Sequence, residues 1–199
     1  MAYPSVESPY GLIPQNLIGG QVFAGATRQI PIAASYGTSI FFGDIVKLAD
    51  TGTLVKETGT ATATPVGVFL GCSFTDPVFG KSFRQSYPSG TTATDIVAYV
   101  CDDPDTLFKV AVVSSGTTIG SVARTAVGNN GTLVQNSGNT ANGNSRVAIS
   151  ATTATTNTLP VRIIDVVPET SPAGNPNAFT EVIVKWNAGM HQYNNATGV

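Results

Sequence analysis

The stretch YGLIPQNLIGGQVFAGATRQIPIAASYGTSIFFGDIVKL, residues 10–48, joins two different kinds of sequence. Its first half spreads a few apolar residues between prolines and glycines, too few to build a core. Its second half ends in Ile40–Leu48, a run of β-branched and aromatic residues that predicts a strand with a bend or bulge at Gly43-Asp44. We therefore expect an extended N-terminal segment joined to a β-rich body.

The N-terminal segment, residues 1–28, is predicted to be an extended arm. Prolines at positions 4, 9 and 14 disfavour helix and favour extended backbone. Such a segment either frays or lies along a partner, and its apolar content favours a partner. The residues expected to contact that partner are Tyr3, Pro4, Pro9, Tyr10, Leu12, Ile13, Pro14, Leu17, Ile18, Val22 and Phe23.

The body is predicted to span residues 29–187 and to be mainly β. Its most apolar run, Pro65–Phe74, predicts a central strand, and the strand-like runs on either side of the acidic turn at 101–105 predict a β-hairpin. A loop-rich insertion is expected at about residues 129–160, where Asn, Gly and Ser are abundant. Residues 188–199 are predicted to be a short polar tail.

One short helix is expected in the body. Thr117 or Thr118 can cap its start, and Gly128 can end it in a left-handed turn. Its apolar stripe, expected to pack on the sheet, is formed at helical spacing by Ile119, Val122, Ala123, Ala126 and Val127.

The composition argues against several classes of function. Charged residues make up 11% of the chain, the net charge is −2, and the basic residues form no stripe. A protein that coats nucleic acid needs clustered Lys and Arg, so we expect no nucleic-acid partner. The N-terminus lacks the features of a signal peptide, and no apolar run approaches the length of a membrane span. We expect the chain to stay in the cell that makes it or in a particle assembled there.

No motif in the sequence predicts catalysis or a cofactor. The only histidine, His191, lies in the predicted tail, and no HExxH, paired CxxC, P-loop or dinucleotide fingerprint occurs. Cys72 and Cys101 are expected to be buried, and the sequence does not settle whether they pair. Asp102, Asp103 and Asp105 allow two interpretations, a plain turn or a cation site. We expect a protein that is not an enzyme.

The segment 75–94 is expected to be a loop with unusual aromatic content. Its aromatic residues Phe79, Phe83 and Tyr87 are expected to fix the loop to its own domain or to a neighbouring subunit. An alternative function uses them differently. A carbohydrate-binding β-module would need an exposed aromatic platform built from Phe79, Phe83, Tyr87, Tyr99 and Trp186.

Most of the chain resembles the head decoration (cement) proteins of tailed bacteriophages, of the type found in cyanophages and other aquatic phages. The resemblance lies in the order of short motifs, and residues 130–158 contribute little to it. The matching segments are Tyr10-Gly11-Leu12, Pro14, Asn16–Gly20, Thr27–Ala33, Gly43–Val46, Pro65–Cys72, Asp95–Val113 and Val182–Asn187.

The resemblance implies a small β-barrel or β-tulip body on the outer surface of an icosahedral capsid, made in the cytoplasm of a bacterial host. It implies an HK97-like major capsid protein as partner, and self-association as a homotrimer that locks neighbouring capsomers against the pressure of packaged DNA. The lack of an apolar run of membrane-spanning length separately predicts no membrane partner. Another virion structural protein, from a tail, fibre or knob, is the other alternative.

Overall fold

The computed structural model describes residues 8–170 and 179–198, which form two sheets. Within these residues no helix is long and apolar enough to cross a membrane. In chain order the strands are β1 (Ile13–Leu17), β2 (Arg28–Pro31), β3 (Ile45–Leu48), β4 (Leu54–Lys56), β5 (Gly67–Asp76), β6 (Gly80–Arg84), β7 (Val97–Cys101), β8 (Thr106–Ser115), β9 (Thr118–Ile119), β10 (Asn130–Val134), β11 (Ala148–Ala154), β12 (Val161–Val166) and β13 (Glu181–Trp186).

Five strands close into a barrel in the order β8–β11–β10–β12–β13, with β13 returning to β8. Strand alternation directs Phe108, Val110 and Val112 of β8 into the interior, where all three are fully buried. The Phe108 ring packs against Trp186 with centroids 5.3 Å apart. The predicted mainly-β fold with a small barrel is therefore confirmed.

The second sheet has the strand order β2–β7–β5–β3–β4, and β6 pairs with the far half of β5. One face of this sheet covers a separate core that contains Phe69, Tyr87 and Val100. On its other face, Val68 and Cys101 belong to the core of the barrel. The central strand predicted at Pro65–Phe74 is confirmed as β5, which pairs with three neighbours.

The predicted hairpin around residues 101–105 is wrong, because its two strands belong to different sheets. β7 pairs with β2 and β5 in the second sheet, whereas β8 pairs with β1, β11 and β13. Both edges of each strand are occupied, so neither has an edge free for the other. The turn, closed by Thr106 N–H donating to the Asp103 carbonyl at 3.2 Å, instead carries the chain from one sheet to the other.

The predicted helix is also wrong, although part of its buried stripe is real. Ile119 ends β9, which pairs with β8, and only a 3₁₀ turn forms at Arg124–Ala126. Gly120 lies against β8 so closely that a Cβ atom would stand 2.3 Å from the Val113 carbonyl carbon. The pairing of β9 with β8 and the close approach of Gly120 hold this segment against the sheet. Val122 and Ala126 are therefore buried without a helix. The other helical turns within the described residues are 3₁₀ turns at Pro168–Thr170 and Gln192–Asn194.

Two segments are more closely integrated into the body than expected. The described part of the predicted arm includes β1, which pairs with β8, and Leu12, which is fully buried in the barrel core. The predicted loop-rich insertion at about 129–160 supplies β10 and β11, two of the five barrel strands. Its polar composition predicted an exposed loop, but a polar residue can be buried in a strand when it is hydrogen-bonded. Asn130 is buried, and its side chain donates to the Thr156 carbonyl at 2.9 Å.

Candidate partner-binding surfaces

The structure divides the predicted partner-contact residues into three groups. Tyr3 and Pro4 lie outside the described residues. Pro9 and Leu12 are buried in their own chain, so no partner can reach them in this conformation. The remaining residues are the partly buried Tyr10, Ile13, Pro14, Leu17 and Phe23 and the exposed Ile18 and Val22.

Tyr10 is fixed by internal contacts. Its hydroxyl donates to a carboxylate oxygen of Glu181, and Lys109 lies 5.7 Å above its ring while also pairing with Glu181 at 3.4 Å. Burial, and then the hydrogen bond to Glu181, raise the pKa of Tyr10 above its ordinary range. Tyr10 therefore anchors the N-terminal segment to β8 and β13 and presents little surface to a partner.

The tight turn at residues 17–22, here called the N-terminal turn, does present an apolar surface. Leu17 N–H donates to the Gln21 carbonyl at 2.8 Å, and Ile18 N–H donates to the Asp105 carbonyl at 2.9 Å. These bonds hold the backbone in place while the Ile18 and Val22 side chains stay 51% and 75% exposed. Of the predicted residues, these two are the ones best placed to contact a partner.

A second apolar surface, which the sequence reading missed, lies on the β5–β6 hairpin. Val78, Phe79 and Phe83 are 79%, 78% and 74% exposed, which is unusual for large apolar side chains. Of the three aromatic residues expected to fix this segment to its own domain or to a neighbouring subunit, Tyr87 is fully buried in its own chain, whereas Phe79 and Phe83 are open to a partner. The turn signal Asp76-Pro77 followed by Gly80 was the available evidence for a hairpin in place of a loop.

The tip of this hairpin is held in one conformation by its own polar groups. Asp76 Oδ1 accepts hydrogen bonds from Val78 N–H at 2.8 Å and Phe79 N–H at 3.1 Å, and these bonds lower the pKa of the Asp76 carboxyl. Arg84 pairs with Asp76 at 3.6 Å. Lys81 likewise pairs with Asp95, at 3.1 Å. The surface is therefore apolar, ordered and close to neutral.

The acidic turn is engaged in protein contacts. Asp102 pairs with Arg28 and accepts a hydrogen bond from the Tyr193 hydroxyl at 2.9 Å. Asp105 pairs with Lys185 at 2.8 Å. Nowhere in residues 8–170 and 179–198 do three or more His, Cys, Asp or Glu side chains form a group that could hold a metal ion.

Cys72 and Cys101 are free thiols in separate cores, Cys72 under the second sheet and Cys101 beside the barrel. Burial raises the pKa of the Cys72 thiol to about 11 and also raises the pKa of Cys101. Because the thiolate is the reactive form, both residues act as small buried apolar groups rather than as nucleophiles.

The aromatic residues of the carbohydrate-binding alternative do not form one platform. Phe79 and Phe83 are exposed on the hairpin, Tyr99 is half-buried, and Tyr87 and Trp186 are buried in two different cores. A sugar ring needs an accessible aromatic face on which to stack. This arrangement therefore offers such a ligand only the hairpin residues and part of Tyr99.

Comparisons of the chain with protein-family models, with curated proteins and with solved structures each found no match. The two apolar surfaces and the sequence motifs are therefore the features of the chain that bear on its function.

Proposed function

We propose that this chain is a non-catalytic structural protein of a tailed-phage particle. It binds the outside of the icosahedral head, contacts an HK97-like major capsid protein and cements neighbouring capsomers against the pressure of packaged DNA. The observation that carries this proposal is the exposed apolar surface of the β5–β6 hairpin, with Val78 and Phe79 on an ordered turn and Phe83 on β6. The motif resemblance supports the choice of a phage capsid as the partner.

The hairpin tip is suited to bind an apolar site on a partner. Burying one such side chain is worth about 1.5–3 kcal/mol, so three of them can supply a large share of a specific contact. Because the tip is already ordered by Asp76, little conformational entropy is lost on binding. Repetition of this modest contact over a whole shell then stabilises the shell collectively.

The N-terminal turn supplies a second contact in this proposal, through Ile18 and Val22. The proposed assembly is a homotrimer, as the resemblance implies, in which one of the two surfaces faces the capsid and the other can face a neighbouring copy. Deleting residues 1–20 would not test the turn, because the deletion would also remove β1 and the buried Leu12. Point substitutions are the better test.

We expect the double substitution Phe79→Ser/Phe83→Ser to weaken binding to expanded, undecorated phage heads by at least about tenfold. Both rings are exposed in the isolated chain, so the midpoint of thermal unfolding is expected to change little. Co-sedimentation of purified protein with heads over a concentration series measures the affinity.

Two further variants make this test specific. Ile18→Ser/Val22→Ser reports on the N-terminal turn, and Ile119→Ser is the control, because Ile119 is 39% exposed and lies outside both surfaces. Wild-type binding by both double variants would contradict the proposed contacts. Absence of the wild-type chain from heads, with labelling on the tail, would instead favour the tail or fibre alternative.

A further inference from the structure

Residues 187–194, here called the clasp, join the barrel to the second sheet. On the barrel side, the Asn187 amide donates to the Leu159 carbonyl at 2.9 Å. On the side of the second sheet, Gln192 Oε1 accepts from Leu48 N–H at 2.7 Å, and its amide nitrogen donates back to the Leu48 carbonyl at 3.3 Å. The clasp, which contains the first part of the predicted polar tail, is thus bonded to both halves of the fold.

His191 lies in the middle of the clasp and is buried. Its Nδ1 accepts a hydrogen bond from Tyr193 N–H at 3.2 Å. A backbone N–H can only donate, so Nδ1 must be unprotonated in this conformation. The neutral ring then carries its proton on Nε2, which has no hydrogen-bond partner among residues 8–170 and 179–198.

Protonation of this ring conflicts with the closed clasp in two ways. A proton on Nδ1 would face the N–H of Tyr193, so the bond that caps the 3₁₀ turn Gln192–Asn194 would become a contact between two donors. The imidazolium charge would also be buried, and the cost of burial outweighs what the Val66 and Asp102 backbone groups contribute toward it. We propose that protonation of His191 opens the clasp, so that acid breaks the contact between the tail and the second sheet.

The charged groups around His191 compensate for this charge only in part. Asp102 and Asp103 of the acidic turn act on it directly. Arg28 of β2 lies over the neighbouring Tyr193 ring, and Arg162 and Lys185 line the same cleft as His191. Asp102 is already paired with Arg28, and Lys185 is paired with Asp105. Asp103 is exposed, so water screens its charge.

The direction of the pH effect follows from burial. Burial lowers the pKa of His191 below 6.5, and the backbone of Val66 and the acidic turn oppose this effect only in part. In an opened clasp the ring is solvated and regains its ordinary pKa of about 6.5. The closed clasp therefore has its full stability above that pH. As the pH falls below it, the equilibrium constant for opening rises by about tenfold per pH unit until the closed-state pKa is reached.

Amide hydrogen exchange of the full-length chain between pH 7.5 and 5 tests whether the clasp opens as the pH falls. Gln192 N–H donates to the Pro65 carbonyl at 2.8 Å, and we expect its protection factor, corrected for the intrinsic rate at each pH, to fall about tenfold per unit below about pH 6.5. Val112 N–H, which donates to the Thr180 carbonyl in the barrel, should keep its protection. Hydrogen bonds lower the pKa of Asp76 and of Asp165, so these two carboxylates stay ionised over this pH range.

Two variants distinguish opening of the clasp by His191 protonation from a general loss of stability in acid. His191→Asn keeps a side-chain oxygen that can accept from Tyr193 N–H but gains no charge, so Gln192 protection should become independent of pH. Tyr193→Phe removes the bond to Asp102 and should lower protection at every pH without removing the pH dependence. The same acid-induced loss in His191→Asn, or equal losses at Gln192 and Val112 in the wild-type chain, would overturn the proposal. Neither outcome bears on capsid binding.

Discussion

Gly67→Ala is expected to destabilise the chain by about 3 kcal/mol or more, at the upper end of the range for overpacking. A Cβ atom on Gly67 would lie 2.2 Å from the carbonyl oxygen of Cys101 and 3.0 Å from the Cα of Asp102. These are backbone atoms at the end of β7, so no side chain can rotate away. Relief requires β5 and β7 to separate where Val68 and Cys101 enter the barrel core. Urea-induced unfolding measures the loss.

Gly19→Ala is the matched control. Gly19 has no atom of the structure within 4 Å of its ideal Cβ position, so this variant should stay within about 0.5 kcal/mol of the wild-type free energy of unfolding. Equal stability of the two variants would show that the approach of β5 to the end of β7 is loose in solution.

Local signals predicted local structure well. The turn at residues 50–52 followed by a returning strand is confirmed by the pairing of β3 with β4, in which Leu48 lies opposite Leu54. Gly52 adopts φ of +72°, which glycine tolerates and which this tight turn requires. Both strands of this hairpin and the turn between them lie within residues 45–56.

Pairing between distant strands could not be predicted in the same way. β7 and β8 carry an acidic turn between two apolar runs, which is the pattern of a hairpin. Apart from β9, their actual neighbours are distant in sequence. β11, which pairs with β8, comes from the segment expected to be a loop-rich insertion. A strand's neighbours depend on which edges are free in the whole fold, and that information is not local.

The candidate surfaces could be predicted only in part, because the exposure of a side chain also depends on packing between distant segments. Proline spacing indicated extended backbone over residues 9–14, but an extended segment can pair with its own body as readily as with a partner. Likewise Phe83 and Tyr87 lie in the same aromatic segment, yet Phe83 is exposed while Tyr87 is buried and donates to the Tyr36 carbonyl at 3.0 Å. Composition shows that these side chains are apolar, and only packing decides which of them a partner can reach.

Asp44→Ala is expected to cost about 3–5 kcal/mol of unfolding free energy, because it leaves polar groups buried without a partner. Asp44 is fully buried and accepts from Lys56 Nζ at 2.7 Å, from the Ser145 hydroxyl at 2.6 Å and from Phe41 N–H at 2.9 Å. Ser145 belongs to the segment between β10 and β11, so the carboxylate links the second sheet to the barrel. Chemical denaturation at pH 7 measures the loss.

Arg124→Gln is the matched control, since it breaks an ion pair of similar length at the surface. Arg124 pairs with Asp165 at 2.6 Å, but the two side chains are 72% and 51% exposed. Water and salt screen such a pair, so its loss should cost about 1 kcal/mol or less. Asp44→Asn keeps the side-chain volume and one oxygen acceptor and should fall between the two. If Asp44→Ala cost no more than Arg124→Gln, the buried carboxylate would not be what holds the second sheet to the barrel.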